Sequence, residues 1–386
     1  MLKKIYKMIL ICLSSIFAIP LVMLARLIKP IVHFRFERII SSRIGHFGAH
    51  SMLCYVNGRK KKTKDYFWLS GVPCNDFLTK LVSRNLNISP WIRYIDFWNK
   101  ALPFGNDHNN LSPHTDIFDF DLKLLACNER FQFLDIENNE AKAWLRKKGW
   151  SEGQKIVCIL VRDSAYLEDL NNSYSGHRYR NSDISSYQEA MIWMANQGAF
   201  ILRMGKKQLK PLDLRHVNVY DYAFAKDKSD FLDIWLFANC DLCISNGTGL
   251  DSLSNVYGNP LICVDHLPFE SYYTYKVIIS YKSLFWESTN KKLNLEEYFQ
   301  CQEFDHVEKY KNARIRVVNQ TSSEITKNVK EGWELFFSKK KMTKTQLIQQ
   351  EYYWNLFFKY NKKVKKIHPH SLISPIWLSN KIKSKN

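Results

Sequence analysis

The chain alternates short continuous apolar runs with segments whose apolar residues recur at helical spacing. Residues 155–161, 199–202, 217–220, 242–244 and 261–264 are runs of the first kind, the mark of strands buried on both faces. Between them, Ile184, Tyr187, Ala190, Met191 and Met194 share one helix face. So do Phe231, Leu232, Trp235 and Leu236, and then Leu250, Leu253 and Val256. Asp183 is placed to cap the first of these helices and Gly198 to end it; Gly258 and Pro260 stop the third. Strands and helices in this order predict an α/β fold with a parallel, doubly wound sheet, which binds ligands outside the carboxyl ends of its strands.

The pattern differs on either side of this region. Residues 36–50 read as a strand, a glycine loop at Gly45 and a helix, with Arg43, His46 and His50 beside the loop. His46 fits either a general base or a helix cap. Residues 66–70 predict a second strand, 91–98 a strand or core helix, and 103–113 a surface loop carrying Asp107 and His108. A polar helix at 140–148 ends at Gly149-Trp-Ser-Glu-Gly153, which marks a domain boundary near residue 150. Further on come a strand at 314–318, a helix at 324–337, an aromatic helix at 346–360 and a lysine-rich tail. The expected divisions are therefore 1–35, 36–150, 151–310 and 311–386.

Residues 8–25 are uncharged and mostly apolar, interrupted by Pro20. Lys3, Lys4 and Lys7 precede the run; Arg26, Lys29, Arg35 and Arg38 follow it. Basic residues at both ends give no orientation. The segment reads as a spanning anchor or as a helix lying in the interface on anionic lipid, with the bulk of the chain cytoplasmic.

With 386 residues, 46% of them hydrophobic, the chain can bury two cores. Its net charge of +19 favours acidic partners: nucleic acid, anionic lipid or phosphorylated substrates. No helix-turn-helix, zinc-finger or RNA-binding pattern accompanies that charge, which speaks against nucleic acid. Nine scattered cysteines, an odd number, suggest no disulfide framework and a reducing compartment. Cys240 and Cys243 form a lone C-x-x-C at the start of a strand, without a second pair; no metal is expected there. A basic run at 59–64 reads as a solvated turn or a lipid contact.

Candidate chemistry gathers at predicted strand ends. Arg162 and Asp163 follow the strand at 155–161, Arg203 and Gly205 the strand at 199–202, and Ser245, Asn246, Gly247, Thr248 and Gly249 the strand at 242–244. A glycine turn before a helix aims backbone N–H groups and the positive helix end at one point. With two arginines alongside, it suits a diphosphate. A polar loop over 168–181, with His177, Arg178 and Arg180, follows the first of these ends.

The motifs Arg43-Ile-Gly-His-Phe47, Val161-Arg-Asp-Ser-Ala-Tyr-Leu167, Tyr179-Arg-Asn-Ser-Asp-Ile184, Leu202-Arg-Met-Gly205 and Ile244-Ser-Asn-Gly-Thr-Gly-Leu-Asp251, taken in this order, resemble a bacterial family of glycosyltransferases associated with O-antigen and other surface-polysaccharide clusters. The likeness covers roughly residues 36–380. Residues 232–264 are more distantly similar to the donor half of GT-B enzymes such as heptosyltransferases, and the Val-Arg-Asp motif to fucosyltransferases. The resemblance implies a GT-B-like fold: two Rossmann-like domains with parallel sheets facing a cleft, behind a membrane-associated N-terminal helix. It implies an acceptor domain at 36–150 and a nucleotide-sugar donor domain at 151–310. Arg162, Arg203, Gly205, Ser245, Asn246, Gly247, Thr248 and Gly249 would be donor residues, and Arg43 and Gly45 would face the acceptor.

The expected function is metal-independent sugar transfer from a nucleotide-sugar donor to a lipid-linked saccharide at the cytoplasmic face of the inner membrane. No cofactor and no nucleic-acid partner is expected. His46 is the first choice for the base and Asp163 the second. The competing readings are a basic nucleic-acid-binding protein and a non-catalytic membrane-associated scaffold.

Overall fold

The computed structural model describes residues 2–58, 62–109, 129–165, 175–269, 276–338, 340–361 and 371–382. Residues 59–61 of the basic run at 59–64, the end of the loop at 103–113, Tyr166, Leu167, the start of the loop at 168–181 and the lysines at 362–366 lie outside these residues. The chain forms two compact units, Met1–Phe133 and Leu134–Asn386.

The first unit begins with helix α1 (Leu2–Leu27), followed by strand β1 (His33–Ile40), α2 (Ile44–Asn57), β2 (Thr63–Ser70), α3 (Asp76–Asn85), β3 (Asn87–Ile88) and α4 (Ile92–Ala101). β1, β2 and β3 are parallel and adjacent in that order. Arg35 stands directly opposite Asp65 in the β1–β2 register. Their buried side chains form a bidentate pair, Nε to Oδ1 at 2.6 Å and Nη2 to Oδ2 at 2.7 Å. The aromatic stretch near 91–98 is a helix: Ile92 and Ile95, one turn apart, face the core with Phe36.

The second unit opens with α5 (Asp135–Lys147) and continues through β4 (Ile156–Leu160), α6 (Gln188–Asn196), β5 (Phe200–Arg203), β6 (Val219–Tyr220), α7 (Asp230–Asn239), β7 (Leu242–Ser245), α8 (Asp251–Tyr257), β8 (Leu261–His266) and β9 (Val277–Tyr281). An antiparallel pair, β10 (Ser283–Trp286) and β11 (Ile315–Val318), brackets α9 (Leu295–Gln300) and α10 (Val307–Asn312). The unit closes with α11 (Ser322–Phe337), α12 (Lys344–Tyr360), β12 (Ser371–Ile373) and α13 (Pro375–Ser379). The main sheet runs β12-β9-β8-β7-β4-β5-β6 and every pairing in it is parallel. Its central strands are buried along their whole length, as expected of a sheet covered on both faces.

Two expected boundaries move. The second unit starts before residue 150, because α5 packs on α7 and Trp144 Nε1 donates to Asp227 Oδ2 at 2.8 Å. Residues 311–386 are not a separate piece. β12 pairs with β9, and Ile325, Val329 and Trp333 of α11 share one core with Ile262, Val264 and Met194.

Candidate functional site: a cationic cluster at the sheet's switch point

From β4 the chain proceeds outward through β5 and β6, then returns to β7 on the other side of β4 and proceeds through β8 and β9. The strand order therefore reverses between β4 and β7, and there the carboxyl ends of a doubly wound sheet leave a crevice. Leu160 stands opposite Ser245 in the register. Just beyond, Arg162 N–H donates to Asn246 Oδ1 at 2.9 Å, and Asn246 Nδ2 donates to Arg180 O at 2.9 Å. Ser182 N–H donates to Arg162 O at 2.9 Å. The segments after β4 and β7 and the 3-10 turn Ser175–Arg180 are thus tied together at the switch point.

The side chains brought together there are cationic. Arg180 Nη2 donates to Gly247 O at 2.6 Å, while its buried Nε has no hydrogen-bond partner among the described residues. Arg162 Nε makes a long bond to Asn181 Oδ1 at 3.3 Å. Among the described residues neither guanidinium pairs with a carboxylate. Arg162 is pushed down to about 10, first by burial and then by the neighbouring charge of Arg180. His177 is also held below its usual value, by burial first and then by Arg162, Arg180 and His306. His306 Nε2 lies against Gly176, where a β-carbon would stand only 1.6 Å away. Tyr179 packs beside this group at a tilt against Tyr310, with ring centroids 5.1 Å apart, its hydroxyl raised to about 12 by burial. Asp305 is the nearby acid, and its ion pair is with Lys309 at 2.9 Å. Like charges held together under partial burial destabilise one another, and a diphosphate placed there reverses the sign of that term.

The glycine turn differs from expectation in an informative way. Gly247 N–H donates to Ser245 Oγ at 3.1 Å and Thr248 N–H to Asp251 Oδ2 at 2.7 Å; Ser245 Oγ donates to the same carboxylate at 2.6 Å. The buried Asp251 therefore satisfies the turn from within, and these two amides are not aimed at a ligand. α8 itself is a single short helix of 7 residues. What Gly247 provides is room. Its φ is +88°, and a β-carbon there would lie 2.6 Å from His266 Nδ1 and 3.7 Å from Arg180 Nη2. Thr248 Oγ1 is buried without a partner, Asn246 is a buried brace, and Gly249 is exposed.

Two expected donor residues, Arg203 and Gly205, and the second-choice base, Asp163, make structural contacts here. Arg203 is 1% exposed. Its Nη1 meets Asp221 Oδ1 at 3.0 Å, and its Nη2 donates to Gln208 Oε1 at 3.2 Å and Lys210 O at 3.1 Å. It is the last residue of β5, one strand away from the reversal, and its charge is already neutralised. Gly205, with φ +150°, leaves space for Gln208, whose Nε2 would be 2.5 Å from a β-carbon. Asp163 accepts from Ala165 N–H at 3.0 Å and Leu209 N–H at 2.8 Å. Both its oxygens hold loops, which leaves it poorly placed as a base.

A buried ion pair supports the cluster from below. Lys282 and Asp265 are both 0% exposed at 2.9 Å. Lys282 Nζ also donates to Asn181 O at 2.8 Å and Asn319 Oδ1 at 2.6 Å. Asp265 Oδ1 accepts from Gln320 N–H at 2.7 Å. Since Asn181 also holds Arg162, the pair positions that guanidinium. Neither residue stands out in the sequence, because each lies within or beside an apolar strand run. Arg180 and His177 are legible in the sequence only as polarity of the loop that follows the first strand end, and His306 gives no sequence signal.

In the first unit, Arg43 is the N-cap of α2, and Gly45 and His46 lie in its first turn rather than in a glycine loop. Arg43 and His46 are exposed beyond the carboxyl end of β1. Asp107 pairs with Lys29 at 2.8 Å, and His108 Nδ1 is 2.7 Å from Phe34 O, so both are structural. Cys240 and Cys243 are buried free thiols. One group of metal-ligand types occurs among the described residues: Glu37, His50 and Cys54, with their ligand atoms within 4.8 Å of one another. Burial, and then the charges of Glu37 and Asp65, hold the Cys54 thiol well above its usual range.

The depressed His177 gives a pH prediction. Without ligand it stays neutral at pH 7, so stability falls as the pH drops from about 6.5 through its folded-state value. A bound dianion raises that value, so binding takes up a proton in the same window. Affinity for inorganic pyrophosphate should rise, by up to about tenfold per unit, as the pH falls through the interval between the bound-state and free-state values of His177. Calorimetry in buffers of different ionisation enthalpy should show more proton uptake by the wild type than by His177→Gln. Equal uptake excludes His177 from the site.

No protein-family model matches the chain, and no curated protein matches it. Two of the solved structures to which it is weakly similar are glycosyltransferases. One is the E. coli ADP-heptose lps heptosyltransferase II, at 11% identity over 64% of this chain and 90% of that one, with a TM-score of 0.38. The other is the glycosyl transferase family 9 protein of Veillonella parvula, at 9% identity over 65% and 86%, with a TM-score of 0.39. Likenesses of this size assign no activity to the chain.

Proposed function

We propose that the protein is a glycosyltransferase that moves a sugar from a nucleotide-sugar donor to a lipid-linked saccharide in surface-polysaccharide assembly, at the cytoplasmic face of the inner membrane. The observation that carries this reading is the Arg162–Arg180 pair around Gly247 at the switch point, with neither guanidinium matched to a carboxylate among the described residues. In the reaction, an acceptor hydroxyl oxygen attacks the anomeric carbon and the bond from that carbon to the diphosphate oxygen breaks. The hydroxyl proton goes to a base, and the nucleoside diphosphate leaves. Arg162 and Arg180 stabilise the charge developing on the leaving diphosphate, which is the term preorganised cations serve best. Tyr179 and His177 border that charge. The proposed GT-B-like arrangement assigns acceptor contacts to Arg43 and Gly45 and the base to His46, the exposed imidazole in the first turn of α2.

A thermal-shift screen against UDP-, GDP-, CMP-, ADP- and dTDP-sugars tests the reading. One nucleotide class should raise the melting temperature of the wild type and of His46→Ala alike, while His46→Ala alone loses transfer to the acceptor by about 10²-fold. No shift with any class removes the donor site. A shift with full transfer by His46→Ala removes only the base.

A further inference from the structure

We propose that α1 does not cross the membrane but lies in its plane, sunk into an anionic surface by the face turned away from the first unit. The inference deepens the membrane attachment proposed above and rests on it, but not on the transfer chemistry.

Met8–Leu27 is long and apolar enough to span a bilayer, yet length and composition do not separate spanning from lying flat. The packing does. Ser14, Ala18, Val22 and Ala25, spaced by four, four and three residues, form a narrow buried stripe. The stripe packs along α4 and β1, on Ile92, Ile95 and Phe36. Polar contacts fix it at both ends. Trp98 Nε1 donates to Ile11 O at 3.2 Å and Ser14 Oγ at 3.1 Å, and Arg26 Nη2 donates to Asn99 O and Oδ1 at 3.2 Å. The helix is thus held lengthwise against a folded unit from residue 11 to residue 26.

If α1 crossed a bilayer in this state, α4 would be carried to hydrocarbon depth with it. α4 bears Arg93, Asp96 and Lys100, and the Lys100 side chain is 48% exposed on its 2.8 Å pair with Asp96. Ionised groups at that depth are expensive. Lying flat keeps α4 on the aqueous side. It also accounts for a feature that spanning leaves unexplained, basic residues at both ends of the apolar run, Lys3, Lys4 and Lys7 before it and the part-exposed Lys29 after it. A spanning helix concentrates basic residues on one side. A flat helix puts both ends into one headgroup layer, where lysine and arginine on anionic lipid add affinity.

The outward face suits the same occupant. Leu13, Ile16, Phe17, Leu21 and Leu24 are all exposed. Phe17 continues the face edge-on to Trp91 at 6.0 Å, and that indole is 64% exposed. Amphipathic rings beside an aliphatic stripe are the composition of a bilayer interface.

The test uses the full chain with Cys12, Cys74 and Cys127 replaced by serine and a nitroxide placed in turn at Tyr6, Leu13, Phe17 and Leu24, which share one outward face. On vesicles of phosphatidylcholine and phosphatidylglycerol, power saturation should put all four labels at one shallow depth, about 5–10 Å below the phosphates. A depth that increases by about 16 Å between Tyr6 and Phe17, at about 1.5 Å per residue, means that the helix spans, and overturns the proposal. Binding should weaken at least tenfold on phosphatidylcholine alone; equal binding removes the anionic requirement. The triple variant Leu13→Ser, Phe17→Ser, Leu24→Ser leaves the docked stripe intact and should leave the protein in the supernatant. Failure of the parent chain to bind any vesicle, with a dimer in solution, assigns the face to a second copy and overturns both the flat placement and the membrane attachment.

Discussion

Arg180→Gln should bind inorganic pyrophosphate, and its sugar donor, about 10²-fold more weakly than the wild type, and transfer should fall by about the same factor or more. Removal of one preorganised donor to a developing anion costs about 10² to 10³ in rate, and Arg180 is a charged donor in a half-buried place. Arg180→Lys should recover only part of the loss, since an ammonium lacks the planar fork that spans two phosphate oxygens. Isothermal titration gives the affinity directly. If affinity is unchanged in Arg180→Gln, the switch-point cluster is not an anion site.

The same variant makes a second prediction of opposite sign, and the pair of measurements is more discriminating than either alone. A guanidinium that depresses its neighbour's pKa contributes repulsion to the free protein. Its removal should leave stability within about 1 kcal/mol of wild type or slightly above it, as is common where function has placed like charges together. Arg203→Gln should do the reverse. It leaves Asp221 facing a buried void and strips donors from Gln208 and Lys210 O, which costs about 2–3 kcal/mol, while pyrophosphate affinity stays near the wild-type value. Two arginines, one closing the 3-10 turn beyond β4 and one ending β5, thus separate into a ligand group and a structural one by which measurement responds.

That separation also marks the limit of what could be read from the residues alone. Strands and their order were legible because burial on both faces writes continuous apolar runs, and the position of Arg162 followed from the end of β4. The identity of its partner did not follow. Arg203 ends β5 and Arg180 closes the 3-10 turn beyond β4, and only the reversal between β4 and β7, a property of the pairing order, decides which of them reaches the crevice. The glycine turn was legible as a turn. Its inner acceptor, Asp251, looked like an ordinary first-turn acid, and the self-satisfied amides became visible only once Ser245 and Asp251 were seen to face each other. Helix starts shifted for a local reason. Thr321 and Thr343 cap α11 and α12 with Glu324 and Gln346 in capping boxes, so both helices begin before their apolar faces do. In the first unit, Gly45 looked like a loop, but in the structure it is accommodated in the opening turn of α2.

Lys282→Met should be the most destabilising single change in the second unit, by about 3–5 kcal/mol. It leaves the Asp265 carboxylate wholly buried without its cation, at a residue whose φ of +56° limits relaxation. For a unit of this size the loss corresponds to roughly 6–20 °C in melting temperature. The double variant Lys282→Met, Asp265→Asn should recover most of it. Asparagine tolerates the left-handed conformation and its amide oxygen still accepts from Gln320 N–H, the bond that Asp265 Oδ1 makes in the wild type. Affinity should not recover with stability. Lys282 also holds Asn181 O, and Asn181 Oδ1 holds Arg162 Nε, so the repaired protein keeps a folded sheet with a guanidinium no longer fixed at the crevice. A tenfold weaker pyrophosphate constant at near-wild-type stability is the expected reading for a positioning residue, because rotamer freedom regained in the free state must be lost again on binding. Recovery of both together would make the buried pair purely structural and detach it from the site above it.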